Sequence, residues 1–293
     1  GEATYSEEVV WFPKLQNDPS YHYAGIMDAM KTAASKMPRV DAIGVSSAGV
    51  YIDNRIMVAS LFLKVSDEDF DKKVKNMYID VAKEIGENIP IEVANDGDVT
   101  ALAGAMSLED DSVLGIAMGT SEAAGYVDPQ GNITGWLNEL AFAPVDFCKD
   151  AMVDEWSGDY GCGVKYFSQD GVIKLAPYAG IELDESLSPA EKLKVVQGLM
   201  AQDDPRAAKV YSSIGVYLGH TLAYYFDLYG FKHVLLLGRV MSGKGGDLLL
   251  DNCRKVLESE YPQVNKAINL ALPDEKFRRV GQSAAAASLP EIK

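Results

Sequence analysis

The chain has 293 residues, which is enough for two domains or for one large domain with a substantial core. Its 43 acidic residues outnumber the 27 basic ones, and the net charge of −16 argues against a surface for nucleic acid or anionic membrane, since either needs a basic patch. This charge does not exclude a small anionic ligand held by backbone amides.

No apolar run approaches the roughly 18 uninterrupted residues of a membrane span. The first ten residues also lack the basic start and apolar stretch of a signal peptide. The three cysteines, Cys148, Cys162 and Cys253, are too few and too widely spaced for a disulfide framework, so we predict a reducing, cytoplasmic location. With no CxxC pair and 3 histidines, the chain offers little for a zinc site.

The first third of the chain alternates short apolar runs with amphipathic segments. The predicted elements are a strand at residues 8–12, a helix at 20–36, a strand at 42–51, a helix at 74–85, a strand at 89–94 and a helix at 99–106. Strands and helices that alternate in this way predict a mostly parallel α/β sheet.

Two polar segments follow apolar strands in this part of the chain. Asn95 and Asp96 come directly after the strand at 89–94, and the carboxyl ends of strands are where open α/β sheets bind ligands. A carboxylate there can accept a proton from a substrate hydroxyl, or Asp96 or Asp98 can simply cap the following helix. The small residues 46–49 either form a tight turn or let a ligand approach the backbone closely.

The remaining chain is richer in β structure at its start and in helix later. The predicted elements are strands at 113–118 and 124–127, a hairpin turn at 128–132, an irregular segment at 139–175, a helix start at 188–191, a helix at 207–228, a strand at 231–237, a helix at 247–258, a strand at 268–272 and a closing helix at 275–289.

Two loops in this half have the composition of a phosphate site. Gly119, Thr120 and the following serine offer amides and hydroxyls at a strand end, although such a tripeptide is more often an ordinary turn. The Gly-rich loop at residues 238–246 precedes a helix and contains Lys244, which suits either a nucleotide or a solvated loop. It is not a P-loop, because the GxxxxGK[ST] spacing is absent.

Taken in order, five segments resemble the ROK family of sugar kinases, a branch of the actin/hexokinase ATPase superfold. They are residues 42–50 (the sugar-facing Gly loop), 95–102 (the NDxNxxAL segment with the catalytic aspartate), 118–127 (the second phosphate loop), 138–145 (the GE-[LI]-GHxxV segment) and 215–239 (the adenosine-binding helix, strand and turn). The likeness covers nearly the whole chain.

The resemblance implies a two-lobed, actin-like α/β fold with a ligand cleft between the lobes. The smaller lobe would comprise residues 1–96 plus 278–293, and the larger one residues 97–277. The implied activity is transfer of phosphate from ATP, with Mg²⁺, to a hydroxyl of a sugar or sugar-like substrate. The implied site residues are Asp96 as catalytic base, Ser47, Gly49, Asn95 and Glu139 for the substrate, and Gly119, Thr120, Gly238, Ser242 and Gly243 for the nucleotide.

The departures from the family pattern are specific. The DxGGT hairpin of the first phosphate loop is absent, and Glu122 stands among residues that are mostly glycine in the family, where its charge would oppose a polyphosphate. Phe142 replaces a zinc-ligand histidine and Val164 a sugar-binding glutamate, while Cys162 alone keeps a ligand type, so no structural zinc is expected.

These departures support an alternative, a catalytically silent sugar-sensing or regulatory domain of the same fold. No helix-turn-helix or basic patch favours a DNA-binding role. The apolar residues Trp136, Leu137 and Phe142 fit either a homodimer interface or core packing.

Overall fold

The computed structural model describes residue 12, residues 15–272 and residues 275–291, with the backbone alone for residues 275–280. It divides into two compact units, Gly1–Glu109 with Asp274–Lys293, and Asp110–Pro273. The strand predicted at residues 8–12 lies outside the described residues except for Phe12. The lobe boundaries drawn from the sequence, at residues 96 and 278, stay a prediction.

The first unit follows the predicted order of elements. They are α1 (Pro19–Ser35), β1 (Ile43–Ser47), β2 (Val50–Ile52), β3 (Arg55–Val58), α2 (Asp67–Asp69), α3 (Met77–Ile85), β4 (Ile91–Asn95) and α4 (Asp96–Leu108). β1 and β4 are parallel, in a register that places Ser47 opposite Asn95, and β2 and β3 form a separate antiparallel hairpin. Ile56, Phe62, Val74 and Val81 lie in its core.

The strand predicted at residues 42–51 is two strands. Gly49 separates β1 from β2 with a φ of +135°, and a Cβ added there would lie 2.5 Å from the carbonyl oxygen of Val58. Only glycine fits this conformation without strain, and the chain therefore leaves the parallel sheet after Ser47.

The two outer edges of the β1–β4 sheet differ in their hydrogen bonding. On the outer edge of β4, the Asn54 amide donates to the Ile91 carbonyl at 3.0 Å and accepts from the Val93 N–H at 2.7 Å. Among the described residues, no strand pairs with the other edge of β1. Because Ile43 donates toward β4, at 2.9 Å to the Pro90 carbonyl, the backbone polar groups of Gly44 and Ser46 point to that unpaired edge.

The second unit is built on a four-stranded sheet of order β6-β5-β7-β8. Its elements are β5 (Val113–Met118), β6 (Glu122–Val127), α5 (Gln169–Leu175), α6 (Pro189–Ala201), α7 (Pro205–Tyr229), β7 (His233–Leu237), α8 (Gly243–Glu260), α9 (Pro262–Ala267) and β8 (Asn269–Ala271). β5 is antiparallel to β6, whereas β5, β7 and β8 are mutually parallel. α7 packs against α8 through Gly215 and Gly219, where a side chain would meet the α8 backbone or Val256.

The closing helix α10 (Glu275–Ser288) belongs to the first unit and packs on α4 and β1. Its backbone comes so close to β1 that a Cβ on Gly44 would lie 1.8 Å from the Ala286 carbonyl oxygen. Gly44 therefore sets the distance between β1 and α10.

Gly44→Ala is expected to push α10 away from β1 and lower the free energy of unfolding by about 1–3 kcal/mol, because backbone atoms cannot yield as a flexible side chain does. Chemical denaturation measures the loss. The matched control is Gly198→Ala, inside α6, where an added Cβ meets nothing within 4 Å and should stabilise the helix by about 0.5–1 kcal/mol. Equal stability of Gly44→Ala and wild type would contradict the packing described here.

Candidate active site

A cavity of about 840 Å³ lies within the first unit, between α1, β1 and α10. Most of its wall is apolar, including Ile26, Met30 and Leu61. The polar side chains lining it are Ser46, Ser47, Tyr78, Asp96 and Gln282. Several of these gather where β1 and β4 end, because Ser47 lies opposite Asn95 in the sheet and Gln282 donates to the Asp96 carbonyl at 3.2 Å. The cavity thus has one polar end, at the carboxyl edge of the sheet.

Asp96 is the first residue of α4, and Asn95 is the residue that caps this helix. The Asn95 side-chain oxygen accepts from the Gly97 N–H at 2.8 Å, while its amide donates to the Gly49 carbonyl at 2.9 Å. The N-cap residue is therefore Asn95 and neither of the two aspartates, although Asp96 shares in satisfying the first amides. The Asp96 carboxylate lies in the cavity wall, and its Oδ1 accepts from the same Gly97 N–H at 3.1 Å.

The environment of Asp96 makes its carboxylate more basic. Burial raises the pKa of Asp96, and the hydrogen bond from the Gly97 amide only partly offsets this effect. Desolvation penalises the charged form, so a carboxylate in this position gains by taking up a proton. This is the property required of a general base.

Ser47 lies beside Tyr51 and Tyr78. The sequence predicted only that Tyr51 belongs to a strand and that Tyr78 lies on the apolar face of a helix. The Ser47 hydroxyl is buried and lies 2.8 Å from the Tyr78 hydroxyl, and Tyr51 donates to the Ala48 carbonyl at 2.9 Å. Burial raises the pKa of Tyr51, and the charge of Asp96 adds to this effect. Ser47, Tyr51, Tyr78 and Asp96 therefore form one electrostatically coupled group. The sequence signal for Tyr78 was its apolar periodicity, which cannot distinguish a site wall from a core.

In the second unit, two predicted nucleotide loops are neighbours. β5 ends at Met118 and β7 at Leu237, and these strands are parallel, so Gly119 and Gly238 follow the same edge of the sheet. A Cβ on Gly238, whose φ is +95°, would lie 2.2 Å from the Met118 carbonyl oxygen. The loop at Gly119 is held by hydrogen bonds from its N–H to the Ser121 carbonyl and from the Gln169 N–H to its own carbonyl. Thr120 is exposed.

The Gly-rich loop is shorter than predicted, because α8 already begins at Gly243. Ser242 is the N-cap residue, but its side chain makes no capping hydrogen bond, and Ser242 and Gly243 are exposed. The first amides of this 18-residue helix therefore form a positive end suited to an anion. Lys244 does not add to it, since its ammonium is bound by the Asp203 carboxylate at 2.7 and 2.8 Å.

Glu122 does not present a charge to its surroundings as the sequence suggested. It is the first residue of β6, its side chain is buried, and burial raises the pKa of the carboxyl to about 8. At neutral pH the carboxyl is thus mainly protonated, so it repels a polyphosphate less than an ionised carboxylate would. Glu139, the predicted substrate ligand of this unit, is exposed ahead of a short 3₁₀ turn at Leu140–Phe142.

A buried lysine organises the segment that resembles the family's zinc motif. The Lys165 ammonium is 4% exposed and contacts Glu155 at 2.6 Å, Asp170 at 3.0 Å and Asp154 at 3.1 Å. Burial opposes its charge, but the hydrogen bonds to these carboxylates leave the pKa of Lys165 raised. They also lower the pKa of Glu155 to about 2. The Lys165 ammonium thus links three carboxylates within a segment that has little regular secondary structure.

Lys165→Met is expected to destabilise the protein by about 3–5 kcal/mol, because it leaves the buried Asp154 carboxylate without its cation. The control is Lys174→Met, which removes an ion pair to the exposed Glu155 and should lose less than about 1 kcal/mol. Thermal unfolding of both variants tests this, and equal losses would show that burial of the lysine is unimportant.

Comparison with known proteins identifies the fold. No protein-family model and no curated protein matches the chain. Solved structures do match it: a ROK family transcriptional regulator, a homolog of the E. coli MLC protein, has a TM-score of 0.70 at 20% identity, covering 92% of this chain and 67% of the other. The ROK hexokinase from Thermus thermophilus has a TM-score of 0.65 at 19% identity, with 90% and 84% covered.

A ROK family glucokinase from Streptomyces griseus, in complex with glucose and AMPPNP, is similar to the same degree, with a TM-score of 0.64, 19% identity and coverage of 91% and 88%. The chain therefore has the mixed α/β, actin-like ATPase fold of ROK family proteins, and the predicted fold class is confirmed. The five-segment resemblance is confirmed at the level of fold. None of the helices among the described residues is long and apolar enough to cross a membrane.

Proposed function

We propose that the protein is an ATP-dependent phosphotransferase that phosphorylates a hydroxyl of a sugar or sugar-like alcohol, with Asp96 as the general base. The observation that carries this proposal is the Asp96 carboxylate itself. It lies in a cavity wall at the end of a parallel strand, it is not the N-cap residue of α4, and its pKa is raised by burial.

The acceptor hydroxyl would hydrogen-bond to Asp96, which takes its proton as the oxygen attacks the terminal phosphorus of ATP. The bond from this phosphorus to the bridging oxygen would break, and ADP would leave with that oxygen. Ser47 and Gly49 would lie along the bound alcohol, and Asn95 keeps one amide hydrogen beyond the one donated to Gly49. Glu139 would accept hydrogen bonds from further hydroxyls. Phosphoryl transfer depends mainly on positioning and on stabilisation of charge, so these roles need no further nucleophile.

For the nucleotide, the proposal relies on the adjacent loops of the second unit. Gly119 and Thr120 with Gly238 would border the phosphates, and the free first amides of α8 at Ser242 and Gly243 would bind an anionic oxygen. Mg²⁺ would be held chiefly by phosphate oxygens and water and would neutralise the charge of the transferred group. The described residues contain no cluster of carboxylates, histidines or cysteines that would hold a metal by itself.

Two measurements test the proposal. Calorimetry with ATP and Mg²⁺ should show binding, and coupled ADP release across a panel of hexoses, N-acetylated amino sugars and polyols should show turnover with at least one of them. Failure of ATP to bind, together with no ADP release from any acceptor, would overturn the kinase assignment.

The second candidate is a sugar-sensing or regulatory domain, which two observations favour. A ROK family regulator matches this chain with a TM-score of 0.70, and residues 121–124 replace the glycines expected in the second phosphate loop. This alternative predicts that a sugar of the same panel binds without release of ADP.

We also propose a homodimer through Trp136 and Leu137, which are both exposed. Sedimentation of wild type and of Leu137→Asp would test this proposal.

A further inference from the structure

The carboxylate of Glu122 is deeply buried and lacks a hydrogen-bond partner among the described residues. The residue is 5% exposed, and in the described part of the chain no donor pairs with either of its two oxygens. Burial is the cause of the raised pKa of Glu122, and no lysine, arginine or histidine among the described residues forms an ion pair with it. An unpaired carboxylate in such a place costs several kcal/mol unless something neutralises it.

Other oxygen atoms approach the same place. A Cβ on Gly163 would lie 2.3 Å from Glu122 Oε2 and 2.7 Å from the Leu140 carbonyl oxygen, so the two oxygens come together at the bare Cα of this glycine. Glycine at position 163 leaves room for the carboxylate that any side chain would fill.

Helix α7 provides two more oxygen atoms without partners. The Tyr225 hydroxyl is buried and unpaired, and after burial itself the charge of Glu122 is the next cause of the raised pKa of Tyr225. Thr221 lies one helical turn earlier on the same face, and its buried hydroxyl is also unpaired. Neither Glu122 nor Tyr225 has a hydrogen-bond partner among the described residues, and a species bound between them would satisfy both.

The chemistry of this group defines what it can bind. Its ligands are all oxygen, which hard cations prefer, and it contains one carboxylate, whereas calcium sites usually combine several. We propose that the pocket formed by Glu122, Leu140, Gly163 and Tyr225 binds a monovalent metal cation, Na⁺ or K⁺. Glu122 supplies the charged ligand, and the Leu140 carbonyl and the Tyr225 hydroxyl supply neutral ones.

A cation bound at Glu122 would also affect the neighbouring loop. Glu122 follows Ser121 directly, so a cation bound to its carboxylate would fix the end of the loop formed by Gly119 and Thr120. Above about pH 8, where the carboxyl ionises, it would also neutralise the charge next to residues proposed to border phosphate. The cation site itself does not depend on the proposed kinase activity.

Thermal unfolding of the full chain at pH 8.5 tests the site. The salts are KCl, NaCl and N-methylglucamine chloride at equal ionic strength, the last with a cation too large to enter. We expect KCl or NaCl to raise Tm by about 3–6 °C over the organic salt, with saturation as the metal salt is titrated in. Glu122→Gln should abolish the difference, and Glu258→Gln, an exposed substitution on α8 of the same unit, should retain it.

Equal Tm in all three salts for wild type would overturn the cation site and would leave protonation as the means of neutralising Glu122. A cation effect that persists in Glu122→Gln would also overturn it, because the binding would then lie elsewhere. Neither result bears on ATP binding or ADP release, so failure of this proposal is distinguishable from failure of the proposed function.

Discussion

Asp96→Asn is expected to lower kcat by a factor on the order of 10² to 10⁴, with little change in KM for the alcohol. The amide keeps the size and hydrogen-bonding reach of the carboxylate but cannot accept the hydroxyl proton. Steady-state ADP release with the best acceptor of the panel measures the effect.

Stability separates this loss from a folding defect. Asn95 caps α4 independently of Asp96, and burial raises the pKa of the Asp96 carboxyl, so removing its charge should leave Tm unchanged or slightly higher. Asp80→Asn, at an exposed position of α3 in the same unit, serves as the matched control and should retain full turnover. Near wild-type turnover in Asp96→Asn would remove Asp96 from the base role.

Glu122→Gln is expected to stabilise the protein at alkaline pH and to remove a pH dependence of its unfolding. Burial raises the pKa of Glu122 from an ordinary 4.5 to about 8 in the folded state. Between these pH values the folded chain holds a proton that the unfolded chain has released, so the stability of wild type falls as pH rises through this window. Below pH 4.5 both states are protonated, and above about 8 the loss is complete.

The linkage limits this effect to about 5 kcal/mol, since each pH unit contributes about 1.36 kcal/mol. Urea denaturation between pH 5 and 9, in buffers whose only cation is N-methylglucamine, measures it without competition from a bound metal ion. The difference between Glu122→Gln and wild type should grow from pH 5 to pH 8 and then level off. A constant difference would show that Glu122 has an ordinary pKa in the folded protein.

The sequence predicted the order of elements well where the signal is local. The apolar periodicity of α1, α3 and α7 and the apolar runs of β5 and β7 are properties of short windows, and the observed bounds lie within a few residues of the predicted ones. Predictions failed where a distant backbone decides the local conformation. Gly49 ends β1 because Val58 approaches it, and α8 begins inside a loop that its glycines made look irregular.

The candidate site likewise contains some features that local sequence predicts and others that depend on distant residues. An Asn-Asp pair after a buried strand pointed to Asp96, but the sequence left open whether Asp96 or Asp98 caps the helix, because Asn, Asp and Ser all suit that position. The partnership of Ser47 with Tyr78 joins residues 31 positions apart, and no pattern in the chain indicates it. The ion pairs of the buried Lys165 depend on three carboxylates that the fold brings together.

The sequence by itself determined the alternation of strands and helices, the fold class and the strand-end positions of Asp96, Gly119 and Gly238, because hydrophobic periodicity and glycine act over a few residues. The tertiary structure alone decided which polar groups are buried and which charges meet. Glu122 is an ordinary acidic residue in the sequence, and its carboxyl becomes mainly neutral at pH 7 because the fold buries it beside Gly163. The free energy of a charged group depends on how deeply it is buried and on how far it lies from other charges. Both quantities are set only when the chain folds.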